Sequence, residues 1–303
     1  MKKIFELIFL LFIFAMVVIY RTEIHLYIVD NFIHRKDPYI INPNEYKLNY
    51  EFNYVTETND FIAKNQQQIL DIFYTYLNSG ADEFYFFCEY DGCEKDINRF
   101  THENIFVNIN NFIHPYNTYN RLYITSNSWG KIFVRVDKTY NTEEINIANN
   151  EIYRIINKII EDDMTDKEKI KAFHDYIINN TKYDTEYIDE GINDINNTSH
   201  KAIGPLIHSK ALCGGYSHTM SLFLNILKIP NYRISSDTHI WNLVYLDNNW
   251  YHLDLTWDDP VTSDKSDILL DKYFIIDTDT LKDFNTGFHI YDETIYKETI
   301  QNQ

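Results

Sequence analysis

The sequence predicts an α+β protein in which amphipathic helices are interleaved with antiparallel hairpins. Three observations carry this. Apolar residues recur at helical spacing in several separated segments, strict alternation flanks two turn sequences, and the apolar run from Tyr216 to Ile229 is dense enough to be a helix sunk in a core. Of 303 residues, 45% are hydrophobic, with 25 Tyr and 20 Phe, which is too much apolar surface for a disordered chain.

The chain opens on MKKIFELIFLLFIFAMVVIY, where Lys2 and Lys3 precede seventeen residues, Ile4 to Tyr20, broken only by Glu6. That length is at the lower limit of ~17–25 residues for a spanning helix and also fits a signal-peptide core. Small residues suited to cleavage are missing, so residues 1–22 are expected to be an uncleaved membrane anchor rather than a removed signal segment. The dibasic start places the rest of the chain outside the cytoplasm. Residues 23–58 lack periodicity, contain Pro38 and Pro43, and are read as a stalk.

An N-terminal α+β segment is expected over 59–140. Phe61, Ile62, Ile69, Ile72, Phe73, Tyr76 and Leu77 fall at helical intervals, with Asn59 or Asp60 as cap and Gly80 as stop. EFYFFCEY from Glu83 reads as a strand, and INRFTHENIFVNINNFI from Ile97 as a second helix. RLYITSNSWGKIFVRVDKTY from Arg121 alternates on both sides of Asn127-Ser128-Trp129-Gly130, a hairpin pattern. A third helix covers 142–162. A fourth opens at Thr165, where Thr165 and Glu168 form a capping-box pair. Residues 184–200 are polar and acidic, an exposed loop. The chemistry lies beyond the soft boundary near 140, in a domain taken as 141–303.

Three cysteines are present. Cys88 and Cys93 are close enough to close a small loop in an oxidising compartment, or else stay unpaired; two cysteines do not complete a tetrahedral metal site. The formal charge of −18 argues against a nucleic-acid partner, and no basic stripe, phosphate loop or dinucleotide glycine fingerprint occurs. No cofactor motif is seen. His208, His218 and His252 have no metal-ligand spacing, and Asp258, Asp259, Asp264 and Asp267 form no EF-hand, reading instead as a solvated acidic loop.

Cys213 stands just where loop gives way to the apolar helix, followed by Gly214 and Gly215. Free N–H groups and the helix dipole at such a start favour a thiolate, the form a nucleophile needs. Further on, two alternating runs flank Asp247-Asn248-Asn249. With Asp247-Asn248 as the turn, Leu246 pairs with Asn249, and Asp254 falls diagonal to His239 on one face. Cys213, His239 and Asp254 then supply a nucleophile, a base and an orienting acid. His252 shares strand parity with Asp254 and is a candidate to line the cleft. Trp241 and Trp257 read as packing residues that exclude water.

These motifs resemble the transglutaminase-like superfamily, in particular its bacterial extracytoplasmic branch. The matching pieces are Lys210 to Tyr216 (KALCGGY), His239 to Asn242 (HIWN), and Trp250 to Pro260 (WYHLDLTWDDP). KAFHDYIINNTKYD from Lys171 and KYFIIDTDTLKDF from Lys272 flank them, so the likeness covers roughly 165–285. The resemblance implies a papain-like core, with the cysteine opening a central helix packed on an antiparallel sheet. It implies Cys213 as nucleophile, His239 as base and Asp254 as orienting acid. Two positions depart from the branch: Gly214 stands where Gln is common, and Ile203 where a Tyr is common. The implied activity is thiol acyl transfer from a carboxamide or peptide carbonyl to an amine or water, on a protein or peptide substrate. A cysteine peptidase or amidase acting on surface proteins or cell-wall peptides, and a non-catalytic surface binding module, are the rival readings.

Overall fold

The computed structural model describes residues 2–28, 42–127, 130–191, 194, 196–261 and 268–300. Two helices come first, α1 (Lys2–Ile19) and α2 (Arg21–Ile28). Apolar side chains of α1, among them Phe5, Leu10, Phe14 and Ile19, are exposed. The expected membrane anchor is not supported: among the described residues no helix is long and apolar enough to cross a membrane. Lys2, Lys3 and Glu6 fall inside α1. The uncharged stretch from Leu7 to Ile19 is only about 20 Å long at ~1.5 Å per residue, against a hydrocarbon core of ~30 Å. Of the segment read as a stalk, the described part buries Leu48, Phe52 and Val55 in the core.

The N-terminal segment is built from β1 (Ile62–Ala63), α3 (Gln66–Asn78), β2 (Glu83–Cys88), α4 (Cys93–His102), β3 (Tyr119–Ser126) and β4 (Lys131–Lys138). Its four-stranded sheet has the order β1-β2-β4-β3. The first helix starts later than its apolar periodicity suggests. Phe61 and Ile62 go into the approach to β1 and the strand itself, and Asn65 caps α3 by accepting from the Gln68 N–H. Gly80 closes it at φ +77, where a Cβ would meet the Asn44 and Asn117 side chains. The helix expected from Ile97 to Ile113 is two pieces. Asn104 adopts φ 56 and ends α4's turn, and a 3-10 stretch runs over Ile105–Phe112. Cys88 and Cys93 are joined as a disulfide, tying the end of β2 to the start of α4. The expected hairpin forms, with Ser126 opposite Ile132; Ser128 and Trp129 of its turn lie outside the described residues.

The second half contains α5 (Thr142–Ile159), α6 (Asp166–Asn180), β5 (Lys182–Tyr183), α7 (Thr185–Asp189), β6 (Lys210–Ala211), α8 (Cys213–Ile226), β7 (Asn231–Ser235), β8 (Ile240–Leu246), β9 (Asn249–Leu253), α9 (Leu255–Asp258) and α10 (Thr278–Asp283). Both α5 and α6 begin with complete capping boxes, Asn141 with Glu144 and Thr165 with Glu168. Such a cap contributes roughly 1 kcal/mol. The stretch read as an exposed loop instead holds α7 and a 3-10 turn at Thr198–His200, with Asp184, Tyr187 and Ser199 buried.

Helix α8 is the centre of this half. From Gly215 to Leu224 every residue is buried, and the Phe223 ring stacks on Phe173 of α6 at 4.0 Å between centroids. The antiparallel sheet β7-β8-β9 lies against it. That sheet is shared. Tyr232, Ile234, Trp241 and Leu243 join the core of the N-terminal segment, while Val244, Leu246 and Leu253 join the core around α8. Alternation along a strand sends successive side chains to opposite faces, so β8 welds the two cores. Arg233 of β7, fully buried, donates to the Asn110 and Ile113 carbonyls. It holds the N-terminal segment to the sheet.

Candidate functional site

Cys213 is the first residue of α8, after the N-cap Leu212, and no side chain caps this helix. Its first-turn N–H groups therefore point outward without a side-chain acceptor. The turn is pinned from behind. The Leu212 N–H donates to the Ser199 carbonyl at 2.8 Å, and the Ser199 hydroxyl donates to Asp184. This packing accounts for the two glycines. A Cβ on Gly214 would lie 2.9 Å from the His200 carbonyl oxygen, and one on Gly215 would lie 2.5 Å from that of Ser199. The departure at Gly214 thus follows from how closely the 198–201 turn covers the helix start. Ile203 is buried in the core beside it.

His239 precedes β8 directly. The register is the expected one: Leu246 opposite Asn249 and Asn242 opposite Leu253, with Asp247 and Asn248 both at positive φ in the turn. Pairing stops at Leu253, because Asp254 turns the chain into α9 and becomes its N-cap. Asp254 Oδ1 accepts from the N–H groups of Thr256 and Trp257, at 3.0 and 3.3 Å. Its Oδ2 accepts from His239 Nε2 at 2.6 Å. Strand and helix are held in place by Asn242, whose amide donates to the Ser217 carbonyl and the Ser221 hydroxyl of α8.

The structure therefore brings the three predicted residues into one place. Burial pushes the His239 pKa down, but the charge and hydrogen bond of Asp254, and then the Cys213 side chain as hydrogen-bond partner and charge, outweigh it and raise it to about 10. Since Nε2 is engaged by Asp254, Nδ1 is the atom left for the sulfur. Burial works against ionising Asp254, yet the His239 charge and the hydrogen bonds from His239 and His289 hold it well below the usual carboxylate range. The Cys213 thiol is partly exposed and free of any disulfide, while both partners are buried.

Trp241 stacks on the His239 ring at 5.5 Å and donates from its indole nitrogen to His252 Nδ1 at 3.0 Å. His252 does not line the cleft. It is buried behind Trp241, also contacts the Thr278 hydroxyl, and is kept neutral by burial, with its pKa near 3. His218 is buried against the Tyr140 hydroxyl, and His208 is exposed. Asp258 and Asp259 are buried rather than solvated. Asp258 accepts from the Tyr273 N–H and contacts His174, while Asp259 accepts from the Tyr216 hydroxyl; Asp264 and Asp267 lie outside the described residues.

Two residues near the site had no spacing signal in the sequence. Tyr183 sits on β5 opposite Ala211, and its pKa is raised by burial and then by the charges of Cys213 and Asp254. His289, 35 residues beyond Asp254, places Nε2 2.9 Å from Asp254 Oδ2. His239, Asp254 and His289 offer donor atoms within 4.8 Å of one another, as a metal site would. However, separations of 2.6 and 2.9 Å between ring nitrogens and one oxygen are hydrogen-bond lengths. Ligands on one ion at ~2.0–2.2 Å each would be spread more widely. The set fits a carboxylate held between two imidazoles.

Comparison with known proteins finds a family model and solved structures that match. Residues 153–255 match the model of the transglutaminase-like superfamily core, a span that contains Cys213, His239 and Asp254. A solved structure described as "Crystal structure of a TGase" is similar over 52% of this chain and 49% of that one, at 19% identity and a TM-score of 0.34. The match thus spans about half the length of that structure, and a likeness this shallow carries no argument. Among curated proteins none matches.

Proposed function

Residues 153–255 belong to the transglutaminase-like superfamily, and from that premise we propose that the protein is a cysteine acyltransferase working through a thioester on Cys213. The observation that carries the reading is the 2.6 Å bond from His239 Nε2 to Asp254 Oδ2, made by an imidazole whose other side engages the cysteine at the start of α8.

His239 takes the thiol proton of Cys213, so that a sulfur nucleophile faces an imidazolium. The sulfur attacks a carboxamide carbonyl, and the C=O electron pair moves onto oxygen. That oxyanion is met by the uncapped N–H groups of the first turn of α8 and by the Tyr183 hydroxyl. Donors fixed before the charge develops are the strongest source of stabilisation in such reactions. Collapse breaks the C–N bond, and His239 gives its proton to the departing nitrogen, which leaves as ammonia. The neutral imidazole then takes a proton from an incoming primary amine as it attacks the thioester. Collapse of the second tetrahedral species releases the Cys213 thiolate and a new amide, with His239 protonated again. Water in place of the amine yields a carboxylate.

A setting outside the reducing cytosol is part of the proposal. It is supported by the Cys88–Cys93 disulfide, a bond that persists in oxidising compartments. The substrate is a protein or peptide bearing a carboxamide.

The test is incubation with a glutamine-rich protein and a labelled primary amine. Mass spectrometry should find an acyl adduct on Cys213, with label incorporated and ammonia released, and neither in Cys213→Ala. Tyr183→Phe should reduce turnover by ~10²-fold. Absence of any adduct, together with ordinary thiol reactivity at Cys213, would overturn the reading.

A further inference from the structure

Asp254 is more than the third member of a linear triad. A carboxylate offers about four lone-pair positions, and here all are used. Oδ1 takes the Thr256 and Trp257 N–H groups, and Oδ2 takes two imidazoles, His239 at 2.6 Å and His289 at 2.9 Å. His289 comes from a short 3-10 turn, Gly287–His289, beyond α10. Its place there is over-determined. The ring stacks on Tyr273 at 5.2 Å and meets Trp241 and Trp257 edge-on at 4.9 and 5.0 Å. Its Nδ1 lies 2.6 Å from the Thr286 hydroxyl.

We propose that His289 is a positioning residue for the acyl-transfer reaction, a second imidazole that fixes Asp254 and keeps the shared proton on His239. The inference rests on the function proposed above. An ionised carboxylate accepts only, so His289 Nε2 carries a hydrogen. The Thr286 hydroxyl can then donate to Nδ1, which selects that tautomer. Thr286 donates to His289 and His289 to Asp254, while His239 donates to the same oxygen from the other side.

The physical consequence concerns basicity. Asp254 is only 2% exposed, so solvent cannot replace a lost donor. Without the His289 N–H, one lone pair of a buried carboxylate stands unpaired, and its affinity for the proton on His239 rises. The Nε2 proton of His239 is then drawn toward oxygen, the ring becomes more basic at Nδ1, and the Nδ1 proton passes less readily to the departing nitrogen. The titratable groups around His289 are Asp254, His239, Tyr273 and, behind Trp241, His252. Among these only Asp254 and His239 belong to the proposed chemistry.

The test uses the full chain and two readouts: the rate of Cys213 alkylation by iodoacetamide across pH, and kcat and KM for amine incorporation. His289→Ala should lower kcat roughly 10–100-fold with KM little changed. It should also move the pH profile upward by about half a unit or more. His289→Gln, whose amide can still donate to Oδ2, should recover much of the rate, and Thr286→Val should fall between. Circular dichroism checks folding; if His289→Ala does not fold, His289→Gln and Thr286→Val decide. His239→Ala is the control for the underlying reading and should abolish rapid alkylation. If it does so while all the folded His289 and Thr286 variants keep the wild-type profile and kcat, the role of His289 is overturned and the function stands. If the wild-type thiol reacts as an ordinary one, unaffected by His239→Ala, the function fails and the role of His289 with it.

Discussion

Asp254 Oδ2 accepts a 2.6 Å hydrogen bond from His239 Nε2 while its other oxygen caps α9. One side chain thus orients the His239 ring and starts the following helix. Asp254→Asn keeps the shape but cannot offer two acceptor oxygens. We expect a fall in kcat of roughly 10²–10⁴-fold with a loss of about 1 kcal/mol from the weakened cap. Steady-state kinetics and urea unfolding of the same variant check both.

His239 has a pKa raised to about 10 in the folded chain, against ~6.5 when unfolded. A group raised by folding stabilises fully below the unfolded value, and that stability is lost as pH climbs through the folded one. In Cys213→Ala, where the thiol no longer titrates, unfolding free energy should therefore decline from pH 6.5 upward, and the decline should vanish in Cys213→Ala/His239→Gln. In the proposed reaction the imidazolium that protonates the leaving nitrogen is lost on the same alkaline side, so kcat/KM should fall as pH approaches 10. A profile still rising there would contradict the assignment.

Gly215 lies where a Cβ would come 2.5 Å from a backbone oxygen that cannot move without displacing the turn at Thr198–His200. Gly215→Ala is expected to cost ~1–3 kcal/mol and to reduce Cys213 alkylation, because the start of α8 must shift. Chemical denaturation and labelling rates measured together separate the two effects.

Asn242 bridges β8 to α8 through Ser217 and Ser221 and is buried. Asn242→Ala removes both bonds and leaves the Ser221 hydroxyl without that partner. A loss of ~1–3 kcal/mol is expected, with kcat reduced more than KM is changed, since the strand carrying His239 loses its tether to the helix carrying Cys213.

The Cys88–Cys93 bridge closes a loop with a sequence separation of only 5. Replacing both with Ser should lower stability by about 2 kcal/mol and leave catalysis intact. The double variant retains Cys213 as its single thiol, so titration with a thiol reagent should return one equivalent. A loss of amine incorporation would tie the distant bridge to the site.

Local signals were legible wherever a short stretch settles its own conformation. Thr165 with Glu168 forms the expected capping box, and Asp247-Asn248 supplies the two positive-φ residues of a tight hairpin. Register followed from that turn, because a period of two leaves one alignment that buries the apolar face. The start of α3 and the break after α4 are not legible for a local reason as well: apolar spacing does not say where a strand ends or where Asn104 will turn left-handed. His252 is buried rather than lining the cleft, because strand parity states a face but not which face meets solvent.

By itself the sequence determined the local elements, the thiol at a helix start, and the pairing that draws His239 toward Asp254. The tertiary structure decided what surrounds them. His289 reaches Asp254 from 35 residues away, Tyr183 arrives through a parallel pairing with Ala211, and the turn at 198–201 dictates glycine beside the cysteine. The reason is physical: hydrogen-bond geometry between neighbours in sequence is set by backbone dihedrals, whereas contacts across the core depend on how separate elements pack, and no residue spacing encodes that.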